Sequence, residues 1–249
     1  MYNVPHFKAS DQKEVIDFMH AHPFIILCGI DANNTPVATH IPCLIEERDD
    51  KIFLRAHAMR KQQHTNAFAE NSNVLAIFHG AHTYVSASWY ENKQTASTWN
   101  YQAVHAKGVL KFLGEEGLHE VISKLTEKFE NNPHSPSLVQ RMEDDYVKSM
   151  MKAIIAFEIE ITEIQHIFKL SQNRDKKSYE NIIEHLSKQD EDARTIATTM
   201  RERGDKVFSS GKKPPHQEAV INVHKISIAL ASVVLKLNPC CLYPFLPSP

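Results

Sequence analysis

The sequence predicts an α+β fold with a mainly β core, in which antiparallel strands curl into a closed or partly closed barrel with helices at its periphery. Three observations carry this. Residues 101–113 alternate, with Val104, Ala106, Gly108, Leu110 and Phe112 on one face and His105, Lys107 and Lys111 on the other. Residues 153–164 repeat the pattern, setting Ile155, Phe157, Ile159 and Ile161 against Glu158, Glu160 and Thr162. A period of two sustained over that length is a long, half-buried strand. Between them, residues 116–130 switch to a helical period, with Leu118, Val121, Ile122, Leu125 and Phe129 on one stripe, suited to cover a barrel opening or edge.

The other elements follow in order. Residues 11–22 read as a helix, because Val15, Phe18, Met19 and His22 follow i, i+3, i+4, i+7 and Asp11 with Glu14 resembles a capping box. Pro23 ends it. FIILCGI (24–30) is a buried strand, and DANNTP turns the chain into an antiparallel partner, VATHIPCLI (37–45). KIFLRA (51–56) is a third strand, followed by a short helix with Ala67 and Phe68 turned inward, and residues 74–78 are a fourth strand, fully apolar. NNPHSPSL breaks the helix at 116–130, and 142–151 forms another short one. Tyr179, Ile182, Ile183 and Leu186 mark a further helix and 193–203 a last one, giving a C-terminal helical segment. From about Phe208 the composition shifts: an apolar run at 226–235 is flanked by Lys225 and Lys236, and Pro239, Pro244 and Pro247 follow. The expected organisation is a barrel domain over 1–165, a helical extension of it over 166–207, and an appended tail over 208–249.

Composition narrows the function classes. With 28 Lys and Arg against 30 Asp and Glu among 249 residues, no bulk basic excess marks a nucleic-acid binder. The run at 226–235 is too short to span a bilayer, and the opening lacks the basic and apolar regions of a signal peptide. Cys28, Cys43, Cys240 and Cys241 form no CxxC pair, and the first two lie in apolar strand runs, so reduced thiols and a cytoplasmic location are expected. The seven glycines form neither GxGxxG nor GxxxxGK[ST], which removes the Rossmann and P-loop readings. A phosphate here must be held by side chains.

Candidate site residues cluster in three places. The stretch 79–108 holds both tryptophans, and Ser86, Ser88, Trp89, Tyr90, Thr98, Trp99, Asn100, Tyr101 and His105 can build a half-polar pocket or brace a long hairpin. In HAMRKQQH, His57, Arg60 and Lys61 follow a strand and precede a helix N-terminus, the setting of a phosphate site or of a solvated basic turn. Lys169, Gln172 and Asn173 in FKLSQNR suit a substrate or interface contact, with helix capping by Asn173 as the alternative. Thr39 and His40 lie on opposite faces of one strand, so one of them can face a ligand, while Thr39 can equally bond within the sheet. Of fifteen histidines, His79 and His82 make the tightest pair, but no third ligand stands at a recognisable spacing, and no metal is assigned. No Ser-His-Asp order or Cys-His pair emerges, and Glu158 with Glu160 reads as solvated carboxylates, so catalytic residues are unassigned.

YVSASWY, STWNYQAVHAKG and FKLSQNR, in that order, closely resemble three signature blocks of the PaiB family, the FMN-binding negative transcriptional regulators. MYNVPHF at the start and THIP at 39–42 resemble further blocks. His57 and Arg60 match a family His-x-x-Arg pattern, whereas Gln62 and Gln63 stand where many members carry Asn-Pro. The resemblance covers about residues 1–207. It implies a six-stranded antiparallel split β-barrel of the FMN-binding type, a homodimer with the flavin at the subunit interface, and FMN as cofactor. It implies flavin contacts from Thr39, His40, His57, Arg60, Lys61, Ser86, Ser88, Trp89, Trp99 and Asn100, and substrate or interface contacts from His105, Lys169, Gln172 and Asn173. The implied output is repression with DNA as partner; the alternative is a flavin-dependent oxidoreductase or haem-degrading enzyme of the same fold. The absence of a helix-turn-helix signature and of a basic recognition helix weighs against direct DNA binding.

Overall fold

In the computed structural model, which describes residues 1 and 4–208, the first helix, α1 (Gln12–Ala21), starts where Asp11 accepts the Glu14 N–H at 2.9 Å. Glu14 in return accepts the Ser10 N–H at 2.7 Å, so the expected capping box closes one residue further out. Seven strands follow among the described residues: β1 (Phe24–Ile30), β2 (Pro36–Pro42), β3 (Leu44–Arg48), β4 (Lys51–Met59), β5 (Asn73–Val85), β6 (Thr98–Phe112) and β7 (Ile154–Lys169). The remaining helices are α2 (Gln63–Glu70), α3 (Glu115–Glu130), α4 (Asp144–Met151), α5 (Lys176–Leu186) and α6 (Glu191–Phe208). Every strand pair is antiparallel, in the order β2-β1-β5-β6-β7-β4-β3.

That order proves the curl. β2 and β3 are the two edges of the sheet, yet only Cys43 separates them in sequence. Six spacings of ~4.8 Å would hold the edges of a flat sheet about 29 Å apart, which one residue cannot bridge. The sheet therefore closes on itself until its edges meet at Cys43, which is fully buried and donates its N–H to Pro23 O at 2.9 Å. The single strand expected over 37–45 is corrected here: the chain turns a corner at Cys43, and the six expected strands become seven.

Two further corrections lengthen strands. The strand expected over 74–78 runs on to Val85, past a register shift between His79 and His82 that interrupts its alternation. The strand expected over 153–164 continues to Lys169, with Thr162 bulged out where Gly108 pairs with Ile161 and Lys107 with Glu163. A Cβ at Gly108 would lie 2.5 Å from the Glu160 carbonyl oxygen, so this close crossing needs glycine.

The barrel interior is filled by Ile25, Leu27, Leu54, Phe78, Val104 and Phe157, and Tyr179, Ile182, Ile196 and Met200 from α5 and α6 join the same core. A second cluster lies outside the barrel wall, where Leu118, Val121 and Leu125 of α3 and Val147 and Met151 of α4 cover Leu44 and Ala156. Phe129, expected on that stripe, is instead 51% exposed, because it lies in the last turn of α3, where the helix runs past the cluster. The expectations for the tail fall outside the described residues, save that Phe208 ends α6.

Candidate functional site

β4 alternates its side chains, so Leu54, Ala56 and Ala58 enter the core while Arg55 and His57 face α3 and α4. His57 is partly buried, its Nδ1 has no hydrogen-bond partner, and burial pushes its pKa down, which keeps the ring neutral at pH 7. Arg60 follows directly after β4. Its backbone N–H donates to Ala153 O at 2.8 Å and its guanidinium to Ile154 O at 2.7 Å, tying it to the start of β7.

Arg60 lines a cavity of about 440 Å³ together with Lys148, Lys152, Gly114, Glu115, Leu113, Leu118, Met151 and Ile155. Leu113, Gly114, Glu115, Lys148 and Met151 also line a wider cavity of about 870 Å³ that extends to Val139, Gln140 and Asp144. Three cations face one carboxylate in the smaller cavity. The N-terminus of α3 opens there as well, since Gly114 provides no side-chain cap for it. The helix terminus that shares the cavity with Arg60 is thus that of α3, whereas the sequence pointed to the helix after Gln62; Lys61 is exposed and does not line it. Lys148 and Lys152 were not singled out in the sequence, because their position beside Arg60 arises only when α4 packs on the barrel wall.

The stretch 79–108 separates into distinct environments. Ser86 caps a single 3-10 turn (Ala87–Trp89), accepting the Ser88 N–H at 3.2 Å, with the two hydroxyls 2.8 Å apart. Trp89 stacks on His185 of α5 at 4.8 Å and 8°, and its carbonyl accepts from Asn181 at 3.1 Å. Trp99 is 52% exposed, 6.0 Å from the His82 ring, beside a cavity of about 530 Å³ that includes Asp190, Glu191 and Asp192. Those acids repel a phosphate. Asn100 is fully buried, accepting from Ser171 at 3.0 Å and contacting Met200 Sδ at 3.4 Å.

Thr39 sits half-buried on the inward side of β2, and His40 is exposed on the outward side. His40, Ile26, Ile77 and His105 form one row across the outer face of the sheet. His105 is half-buried there and its pKa is lowered, first by burial. Lys169 donates to the Thr98 hydroxyl, and burial followed by the charge of Arg174 lowers its pKa. Gln172 accepts the Leu170 N–H at 2.7 Å and donates to Phe168 O, bracing the turn after β7. Asn173 caps no helix: α5 is capped by Asp175, which accepts the Ser178 N–H at 2.9 Å. Thus the structure gathers Arg60 with Lys148 and Lys152 at one end of β7, and Lys169, Gln172 and Asn173 at the other, with the tryptophans in neither cavity beside Arg60.

An antiparallel barrel whose two sheet edges meet at a corner residue defines a β-barrel domain of the split-barrel type. Residues 1–163 match the family model described as "Putative FMN-binding domain". The chain is 31% identical over 204 residues to "Protease synthase and sporulation protein PAI 2" of Bacillus subtilis (strain 168), covering 82% of this chain and 98% of that one. It therefore belongs to the PaiB family of FMN-binding domains, and FMN is the cofactor that goes with that membership. An uncharacterized protein of Emericella nidulans is 28% identical over 172 residues, covering 62% of this chain and 68% of that one. The solved FAD and heme binding protein of Mycobacterium smegmatis is similar with a TM-score of 0.49 and 14% identity, over 65% of this chain and 72% of that chain. The donors beside Arg60 fit a phosphate-bearing planar cofactor: cations and open backbone N–H groups for the phosphate, and Leu113, Leu118, Met151 and Ile155 as apolar cover.

Proposed function

We propose that this chain is a cytoplasmic FMN-binding flavoprotein that works as a homodimer and acts as a negative regulator of gene expression. The observation that carries the flavin site is the cavity beside Arg60, where three cations and the open start of α3 lie against an apolar wall. In this reading Arg60, Lys148 and Lys152 hold the phosphate.

The homodimer is supported by the outer face of β1, β5 and β6. Phe24 is 64% exposed and Val109 45%, with Ile30 exposed at the end of β1 and Ile26, Leu75 and Ile77 half-buried between them. An antiparallel sheet usually turns polar residues to water on such a face, so these apolar residues, set beside His105, Lys107 and Lys111, fit a second copy of the chain. The free thiols Cys28 and Cys43 accord with a reducing compartment.

The regulatory output rests on family membership and on the Bacillus subtilis relative, whose name is that of a protease synthase and sporulation protein. A gel shift at low salt, with and without FMN, run beside oxidation of reduced nicotinamide with added FMN, tests it. Retardation without turnover supports a regulator acting on DNA; turnover without retardation identifies a flavin-dependent enzyme of the same fold instead.

A further inference from the structure

We propose that the turn after β7 forms a second binding site, an oxyanion subsite in which Lys169 and Arg174 hold a phosphate or carboxylate group with help from the hydroxyl of Thr98. It lies at the opposite end of β7 from Arg60, whose guanidinium bonds Ile154, so about 50 Å of strand separates the two within one chain.

Neither cation faces a carboxylate among the described residues. Lys169 has the Thr98 hydroxyl as its hydrogen-bond partner, and its ammonium lies 5.9 Å from the Phe7 ring. Arg174 lies with its guanidinium carbon 4.1 Å from the Tyr90 ring centroid, and its Nε is buried without a hydrogen-bond partner. The nearest acid in sequence, Asp175, is turned away to cap α5 through Ser178. Two half-buried positive charges close enough for one to depress the pKa of the other are unfavourable alone, and an anion between them removes that repulsion.

Tyr90 is 1% exposed, its ring lies under the same guanidinium, and its hydroxyl interacts with Arg174, which holds that cation in place at the turn.

The turn is also built rigidly. Ser171 takes φ 61°, a left-handed conformation that a non-glycine residue adopts at a cost, and its hydroxyl is bonded to the buried Asn100. Gln172 closes back on Leu170 and Phe168, and the Arg174 N–H donates to Ser171 O at 3.0 Å. Such bracing fixes the two cations in place before a ligand arrives.

Calorimetric titration of the full chain with inorganic phosphate, and in parallel with acetate, at low ionic strength tests the subsite. At least one of the two anions is expected to bind with a component that falls at least tenfold in Arg174→Gln and in Lys169→Met and that persists in Arg60→Ala, in which only the separate contribution of the flavin cavity is reduced. Lys169→Met removes one side-chain hydrogen bond, so it keeps the test open if Arg174→Gln folds poorly. Binding of neither anion, binding with no component lost in a folded Lys169→Met variant, or binding abolished entirely by Arg60→Ala overturns the proposal; the last result would place the anion in the flavin cavity alone.

Discussion

Arg55 meets Glu120 through two parallel hydrogen bonds, Nη1 to Oε1 and Nη2 to Oε2, each 2.8 Å, and fastens α3 to the outer face of β4. Lys124 joins the pair at 2.8 Å and reaches Glu46 at 3.1 Å. The bond to Arg55, and then that to Lys124, hold the Glu120 carboxyl down to about 2. A depressed folded pKa means stability that is fully present above the ordinary value of 4.5 and lost as pH falls towards 2. Because Glu120 is half-exposed, solvent screening leaves about 1 kcal/mol. Unfolding free energies of the parent and Glu120→Gln, from urea titrations, should differ by that amount at pH ~5 and converge near pH ~2. A difference independent of pH would contradict the ion pair.

Gly108 tests the barrel crossing. An alanine methyl would strike the Glu160 carbonyl oxygen and Ile159 Cγ2, at 2.5 and 2.6 Å, and a backbone atom cannot yield as a side-chain tip can. Gly108→Ala should lower the unfolding free energy by about 2–3 kcal/mol, read from denaturant unfolding at constant slope. A change below about 0.5 kcal/mol would show that the bulge at Thr162 absorbs the methyl.

How much was legible depended on whether local pattern or tertiary contact decided the outcome. The long strands were visible because alternation in β6 and β7 persists over many residues, and α1 and α3 because caps and stripes are local signals. The corner at Cys43 was hidden, since VATHIPCLI stays apolar straight through it and only Pro42 hints at a break. The extension of β5 was hidden by the irregular pairing between His79 and His82. Arg60 was legible from its place after a strand, but Lys148 and Lys152 read as the polar side of a short helix until α4 docks beside Arg60. The tryptophans are close in sequence, yet Trp89 packs on α5 and Trp99 lies beside the acids that begin α6.

The dimer face makes a separate prediction. Phe24→Glu and Val109→Glu place charges on an exposed apolar surface, with little effect on the fold but a direct effect on association. Light scattering should show a dimer for the parent and at least a tenfold weaker dimer for each variant. A parent that remains monomeric at micromolar concentration would remove the homodimer from the account.

Flavin binding is the central claim, and titration of the purified full chain with FMN, followed by flavin absorbance after gel filtration, tests it most directly. The parent should retain about one FMN per chain, and Arg60→Ala, which removes a charge-assisted contact, should weaken binding by about 1.5–3 kcal/mol, roughly ten- to a hundredfold. A folded parent that retains no flavin would contradict FMN binding itself, and undiminished affinity in Arg60→Ala would move the phosphate away from this cavity.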